Sequence, residues 1–286
     1  MLNKRLVFII GPARSGTHLV ASTISNALPS AKYLAEINEF WSQYTIQNQD
    51  KVNFENYNEE MLETIRNDFL KLSEEADTVI EKTAANSLRI QFLKLLFPDA
   101  KYIFIKRNCF QVIASVLKKQ KGNINKVTNS GNVTFSSRLE LLIERVRSKI
   151  SKVEKSPSKI WRLICDNFAN ILNILNLKND THWGPKFCSK SSRAKVKHPE
   201  LYAFLQWAAC TSEIENVNNE DRNNLFLDFE EIIENPTEFS QKINRFLGCA
   251  DVSFNIDSRA NLIVNKDDFE FYDLIQSLSS SQKERK

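Results

Sequence analysis

Apolar and polar positions follow two rhythms along this chain. Compact, nearly continuous apolar runs occur at Leu6 to Ile10, Ala31 to Ala35, Asp77 to Glu81, Lys101 to Lys106 and Asn224 to Phe229. A run such as Leu6 to Ile10 marks a strand buried on both faces, as in a parallel sheet covered by helices. Between the runs, helical periodicity predicts helices over Leu19 to Leu28, 59–76, Leu88 to Phe97, Arg107 to Leu117, 137–155, 158–177, Glu200 to Val217 and Pro236 to Leu247. Gly248 supplies a C-cap for the last of these. Strands alternating with helices predict an α/β, P-loop-like three-layer fold: a central parallel sheet of about five strands with helices on both faces. A single domain over 1–250 is expected, with a mobile loop or lid at 118–136 and a basic loop at 179–199 containing HWGPK. Residues 251–286 read as a partly flexible C-terminal extension whose last dozen positions are frayed.

The first strand runs into the loop of LVFIIGPARSGTHLV, which stops at Gly11-Pro12 and enters a helix after Arg14-Ser15-Gly16-Thr17. Strand, glycine-bracketed loop and helix together aim backbone N–H groups and the positive end of a helix at one spot, a nest for phosphate or sulfate. The Walker A pattern would put Lys at 17 and a hydroxyl at 18, where this chain has Thr17 and His18. Its cation comes earlier, as Arg14, so the loop reads as one that holds an anion without a metal. Ligands of open parallel sheets bind beyond the carboxyl ends of the strands. The residues just past those ends are Gly11 to Thr17, Glu36, Lys82, Arg107 and Phe229-Glu230.

Composition narrows the class. The 286 residues are 42% hydrophobic and 26% charged with a net charge of +4, ordinary for a globular protein and too balanced to imply nucleic-acid binding. The charge is local instead: seven Lys or Arg and no acid lie between Lys101 and Lys126, and five with none between Lys186 and Lys197. Five widely spaced cysteines and three scattered histidines suggest neither a metal site nor a disulfide framework. Few residues precede the first strand and no long apolar run follows, so no leader or membrane span is expected and the cytoplasm is the default location.

Arg107 ends the fourth strand, and Ser115 lies eight residues on, about two helical turns. A strand-end Arg and a helix Ser can grip a second phosphate, apart from the one in the loop. With that pair the chain resembles the sulfotransferases that use 3′-phosphoadenosine 5′-phosphosulfate. Their loop P-x-[RK]-S-G-T-T is similar to GPARSGTH here, and their Arg with Ser eight residues later to RNCFQVIAS. EKTAANSLRIQFLKLLFPDAKYIFIKRN and LFLDFEEIIENPTEFSQKINRFLG resemble further blocks found in bacterial, tyrosylprotein and carbohydrate members. His18, Ala84, Asn108-Cys109 and Phe229 depart from the usual Thr, Pro, Asp-Pro and Tyr.

The resemblance implies that Arg14, Ser15, Gly16, Thr17 and His18 hold the 5′-phosphosulfate, that Arg107 and Ser115 hold the 3′-phosphate, and that no metal is needed. Lys82 and Arg14 are expected to meet the charge that develops on transfer to a hydroxyl or amine of a small molecule, glycan or peptide. Cytosolic members carry a histidine base two residues after a lysine, where this chain has Ala84. Tyrosylprotein and 3-O-heparan members place a Glu just after strand two, which Glu36 matches, with Glu39 as the competing base. Phe40, Trp41 and Tyr44 either line the acceptor pocket or belong to the core. His182-Trp183 resembles a short motif of bacterial members with no assignable role. Two other readings remain: a metal-dependent nucleotide kinase of the same fold, and a non-catalytic anion- or RNA-binding module.

Overall fold

Five parallel strands lie in the order β2-β3-β1-β4-β5: β1 (Arg5–Ile10), β2 (Ala31–Ala35), β3 (Thr78–Lys82), β4 (Lys101–Lys106) and β5 (Asn224–Asp228). The structure, a computed structural model, describes residues 4–28, 30–46, 49–55, 57–73, 76–128, 183–193, 196, 198–249 and 264–283. The expected helices over 137–155 and 158–177, with His182 and Cys165, lie outside the described residues.

The alternation of β1 explains the two faces. Phe8 and Ile10 point to one side, where they join Val79, Tyr102 and Phe104 of the neighbouring strands. That layer is completed by α2 (Asn38–Trp41), α3 (Glu59–Lys71) and α4 (Ile90–Leu96), through Trp41, Phe69 and Leu93 among others. Val7 and Ile9 point the other way, onto α1 (Thr17–Ala27) and the two helices that follow β5, α8 (Phe229–Glu234) and α9 (Pro236–Leu247). The register is regular, with Val7 opposite Ile80 on β3 and Phe8 opposite Tyr102 on β4. The α/β layering expected from the sequence is thus observed, with helices on both faces of a parallel sheet. A third cluster lies beside these layers, where α5 (Cys109–Thr128) packs on α7 (Pro199–Glu215), which follows the short α6 (Lys190–Arg193).

Several expectations change. α5 does not stop at Leu117 but continues to Thr128, through the first part of the segment expected as a mobile loop over 118–136. Its start is fixed by Asn108, whose Oδ1 accepts from Phe110 N at 2.9 Å. Lys118, Lys119, Gln120 and Lys121 are all good helix formers, and Gly122 alone costs only about 1 kcal/mol relative to Ala. A 3-10 turn (Ala84–Leu88) precedes the helix expected over Leu88 to Phe97, which is observed as α4. Part of the stretch expected to be frayed is helical: α10 (Tyr272–Lys283) buries Ile275 in the third cluster. Glu200 anchors its approach, accepting from Glu270 N at 3.1 Å and Phe271 N at 3.0 Å. That carboxylate lies seventy residues away, so periodicity within the tail carries no trace of it. Gly248, at φ 62°, caps α9 as expected. No helix among the described residues is long and apolar enough to cross a membrane.

Candidate anion-binding and catalytic site

β1 is central, and its neighbours β3 and β4 are reached by chain running to opposite sides, which opens a crevice above its carboxyl end. The loop Gly11 to Gly16 occupies that crevice. Gly16 (φ 92°) is the N-cap of α1, a helix with neither a side-chain cap nor an acid in its first turn. Its first amides therefore have no partner in the helix and face outward with the positive end of the dipole. A side chain at Gly16 would run into the Phe229 ring, so packing as well as conformation demands glycine. Ser15 is turned into the loop's floor: its N–H donates to Pro12 O at 3.1 Å, and its buried hydroxyl has no partner.

Arg107 and Ser115 converge on this loop. Arg14 Nε donates to Ser115 Oγ at 2.9 Å, and Arg107 Nη1 donates to Arg14 O at 3.0 Å. Arg107 is buried, with Nε on Gln111 Oε1 at 3.0 Å and its guanidinium 4.1 Å over the Phe229 ring. Burial lowers its pKa to about 10, against the raising effect of nearby Glu230. Phe229 thus lies against both the loop and Arg107. The sequence reading placed it just past the fifth strand and noted its departure from Tyr, but gave it no part in the site.

The opposite rim carries Glu36 and Lys82. Lys82 Nζ pairs with Glu36 Oε1, Glu36 N donates to Lys82 O at 2.8 Å, and Ala84 N donates to Glu36 Oε2 at 3.3 Å. The lysine is buried, whereas the Glu36 side chain stays 54% exposed. Glu39 sits half-buried in the first turn of α2. His18 Nδ1 lies 2.8 Å from Tyr33 Oη, and burial, then Lys82, holds the imidazole below its usual pKa. Phe40 and Trp41 prove to be core, buried against Phe69.

Backbone conformation singles out the same two residues. Among the described residues, the non-glycine positions with positive φ are Arg14 (70°) and Glu36 (51°). Left-handed backbone at long side chains is strained, and such strain concentrates where a site needs it.

Behind Lys82 lies a group that sequence reasoning missed. Glu81 is fully buried and accepts from Thr83 Oγ1 (2.6 Å), Trp41 Nε1 (3.1 Å) and Asn86 Nδ2 (2.8 Å). Burial pushes its carboxyl up to about 7 despite those donors. Thr83 Oγ1 also accepts from Ile37 N at 3.0 Å, so this hub locks the exits of β2 and β3 together. An acid inside a strand buried on both faces was the available signal. Nearby, Arg89 pairs with Asp50 at 2.8 Å, both buried. Among the described residues no group of three His, Cys, Asp or Glu side chains could hold a metal ion.

A sequence profile of the sulfotransferase family matches residues 7–160. Solved structures with a similar fold include a sulfotransferase from Alicyclobacillus acidocaldarius, at 15% identity and TM-score 0.44, covering 92% of this chain and 87% of that one. The sulfotransferase domain of the Synechococcus PCC 7002 olefin synthase matches at 14% identity and TM-score 0.45, over 91% of this chain and 77% of that one. The sulfotransferase domain from the curacin biosynthetic pathway matches at 12% identity and TM-score 0.43, over 86% and 75%. No curated protein matches in sequence.

Proposed function

Because the chain belongs to the sulfotransferase family, we propose that it moves a sulfuryl group from 3′-phosphoadenosine 5′-phosphosulfate to a hydroxyl or amine acceptor, without a metal and with Glu36 as general base. The residues fit such a donor. The uncapped start of α1, the side-chain-free approach at Gly16 and the buried, unpaired Ser15 hydroxyl make a floor suited to an anion. Gly16, Thr17 and His18 would offer backbone N–H groups there, and Arg14 a guanidinium. Arg107 and Ser115 would hold the 3′-phosphate. When bound, the donor supplies a sulfuryl group whose transfer, like phosphoryl transfer, spreads charge over its oxygens and the leaving phosphate.

Lys82 and Arg14 flank the place where that charge develops and stabilise it electrostatically. Glu36, exposed at the rim, accepts the acceptor's proton, while Lys82 and Ala84 N keep its carboxylate oriented. The acceptor is a small molecule, glycan or peptide. The odd number and wide spacing of the five cysteines support a reducing, cytoplasmic setting.

The observation that carries this reading is the meeting of the two phosphate elements, with Arg14 Nε 2.9 Å from Ser115 Oγ across 101 residues of sequence. Calorimetry with adenosine 3′,5′-bisphosphate and adenosine 5′-phosphate tests it. The bisphosphate should bind at least tenfold more tightly, since a charged hydrogen bond contributes ~1.5–3 kcal/mol. Equal affinities would overturn the assignment of Arg107 and Ser115. Labelled donor offered with sugars, phenols, lipids and peptides then identifies the acceptor class.

A further inference from the structure

Lys119 lies one helical turn beyond Ser115 on α5, so the two side chains share a face of that helix. Its ammonium sits over the Trp183 ring, 4.2 Å from the centroid. The loop that presents Trp183 is held firmly. Gln206 Nε2 donates to the carbonyls of Trp183 (2.9 Å) and Pro185 (3.0 Å). Asp50 binds Lys186 by two bonds, from its own N to Lys186 O at 2.9 Å and from Lys186 N to its Oδ2 at 2.7 Å. Gly184, at φ 95°, lets the backbone pass directly against the Gln206 amide.

An aromatic face steadies an ammonium without neutralising it. Among the described residues no carboxylate forms an ion pair with Lys119. The charges that act on it are Arg14 of the loop and Glu36 with Lys82 on the opposite rim. Burial, with help from the two cations, keeps it below the ordinary lysine pKa. With Arg14 taken up by the donor, two cations, Lys82 and Lys119, remain beside the one carboxylate of Glu36. Such an excess favours an incoming anion.

We propose that Lys119, propped on Trp183, is a specificity residue of the acceptor subsite and that the acceptor carries an anionic group, a carboxylate or phosphate, beside the hydroxyl or amine it offers to Glu36. This rests on the sulfuryl-transfer reading. The donor's own anions are met elsewhere, by the loop and by Arg107 with Ser115. Lys119 stands one turn farther along α5, about 6 Å beyond Ser115 at 1.5 Å per residue.

The test titrates protein loaded with adenosine 3′,5′-bisphosphate with hydroxy acids and their methyl esters, in phenolic, aliphatic and sugar-derived pairs. Wild type should bind at least one acid about tenfold more tightly than its ester, the effect of one charge-assisted hydrogen bond. Lys119→Met, which keeps the stem on Trp183, should shrink that preference to under about twofold, and Lys119→Arg should retain it. Bisphosphate affinity should be the same in all three proteins. The proposal falls if wild type prefers no acid, if the preference survives in Lys119→Met, or if that variant weakens bisphosphate binding and so belongs to the donor. Failure of the underlying reading has a different signature, since wild type would then not bind the bisphosphate at all.

Discussion

The two rims of the crevice are built in opposite ways. On the Arg107 side the charged group is buried and oriented by a neutral amide, a backbone carbonyl and the Phe229 ring. On the Glu36 side the cation is buried but its carboxylate partner is half in water. Both rims use one strained backbone residue, Arg14 on the first and Glu36 on the second. A group that must only bind can be packed into the protein, because burial strengthens its hydrogen bonds and excludes competing water. A group that must exchange a proton with an incoming molecule has to stay reachable. The first rim is thus suited to holding a donor and the second to activating an acceptor.

Replacing Glu36 should break that division most severely. Glu36→Gln keeps the shape and the contact to Ala84 N but loses the proton acceptor, so turnover should fall ~10²–10⁴-fold while bisphosphate affinity holds. Glu39→Gln is the control, three residues on in the first turn of α2. If it abolishes turnover while Glu36→Gln stays active, the base has been assigned one turn too early.

Glu81 supports the second rim from below, since it fastens the exits of β2 and β3 beneath Glu36. Its carboxyl stands at about 7 in the folded chain against 4.5 ordinarily. Between those values the folded state keeps a proton that the unfolded state has released, so stability falls as pH rises through that window. At 1.36 kcal/mol per pKa unit the loss is at most roughly 3 kcal/mol. Urea denaturation at pH 5 and pH 8 should show it, and Glu81→Gln should remove this part of the slope. A slope identical in the variant would mean that Glu81 is ionised throughout.

On the other rim, Arg107→Met retains a stem over Phe229 but not the charge. Bisphosphate binding should weaken roughly 10- to 150-fold, with 5′-phosphate binding nearly unchanged, as measured by calorimetry. Equal losses for both ligands would merge the two phosphate positions into one. The smallest expected effect is none: turnover should persist in EDTA, and loss of activity restored by Mg²⁺ would favour a kinase instead.

Much of the site was legible because it follows from short stretches of chain. The β1 loop, Arg107 and Glu36 each follow the end of a strand, with Ser115 two helical turns past Arg107, and parallel topology brings strand ends together without any knowledge of side-chain packing. What escaped were partners chosen across the fold. Nothing near Phe229 in the sequence indicates that its ring lies between Gly16 and Arg107, and Trp183 and Lys119 stand on separate segments. The docking of α10 escaped for the same reason, since contacts with α7 and the third cluster decide it.

Strand alternation and chain order act locally, so the two-faced strands, the glycine loop entering a helix and the charged types that reach the crevice could all be read from the chain alone. How those charges are paired came from packing across the fold. It set Arg14 on Ser115, Lys82 on Glu36 and Lys119 on an aromatic ring. A charge keeps its sign wherever the chain carries it, but its partner and its exposure depend on groups that every other packed element brings within a few ångströms.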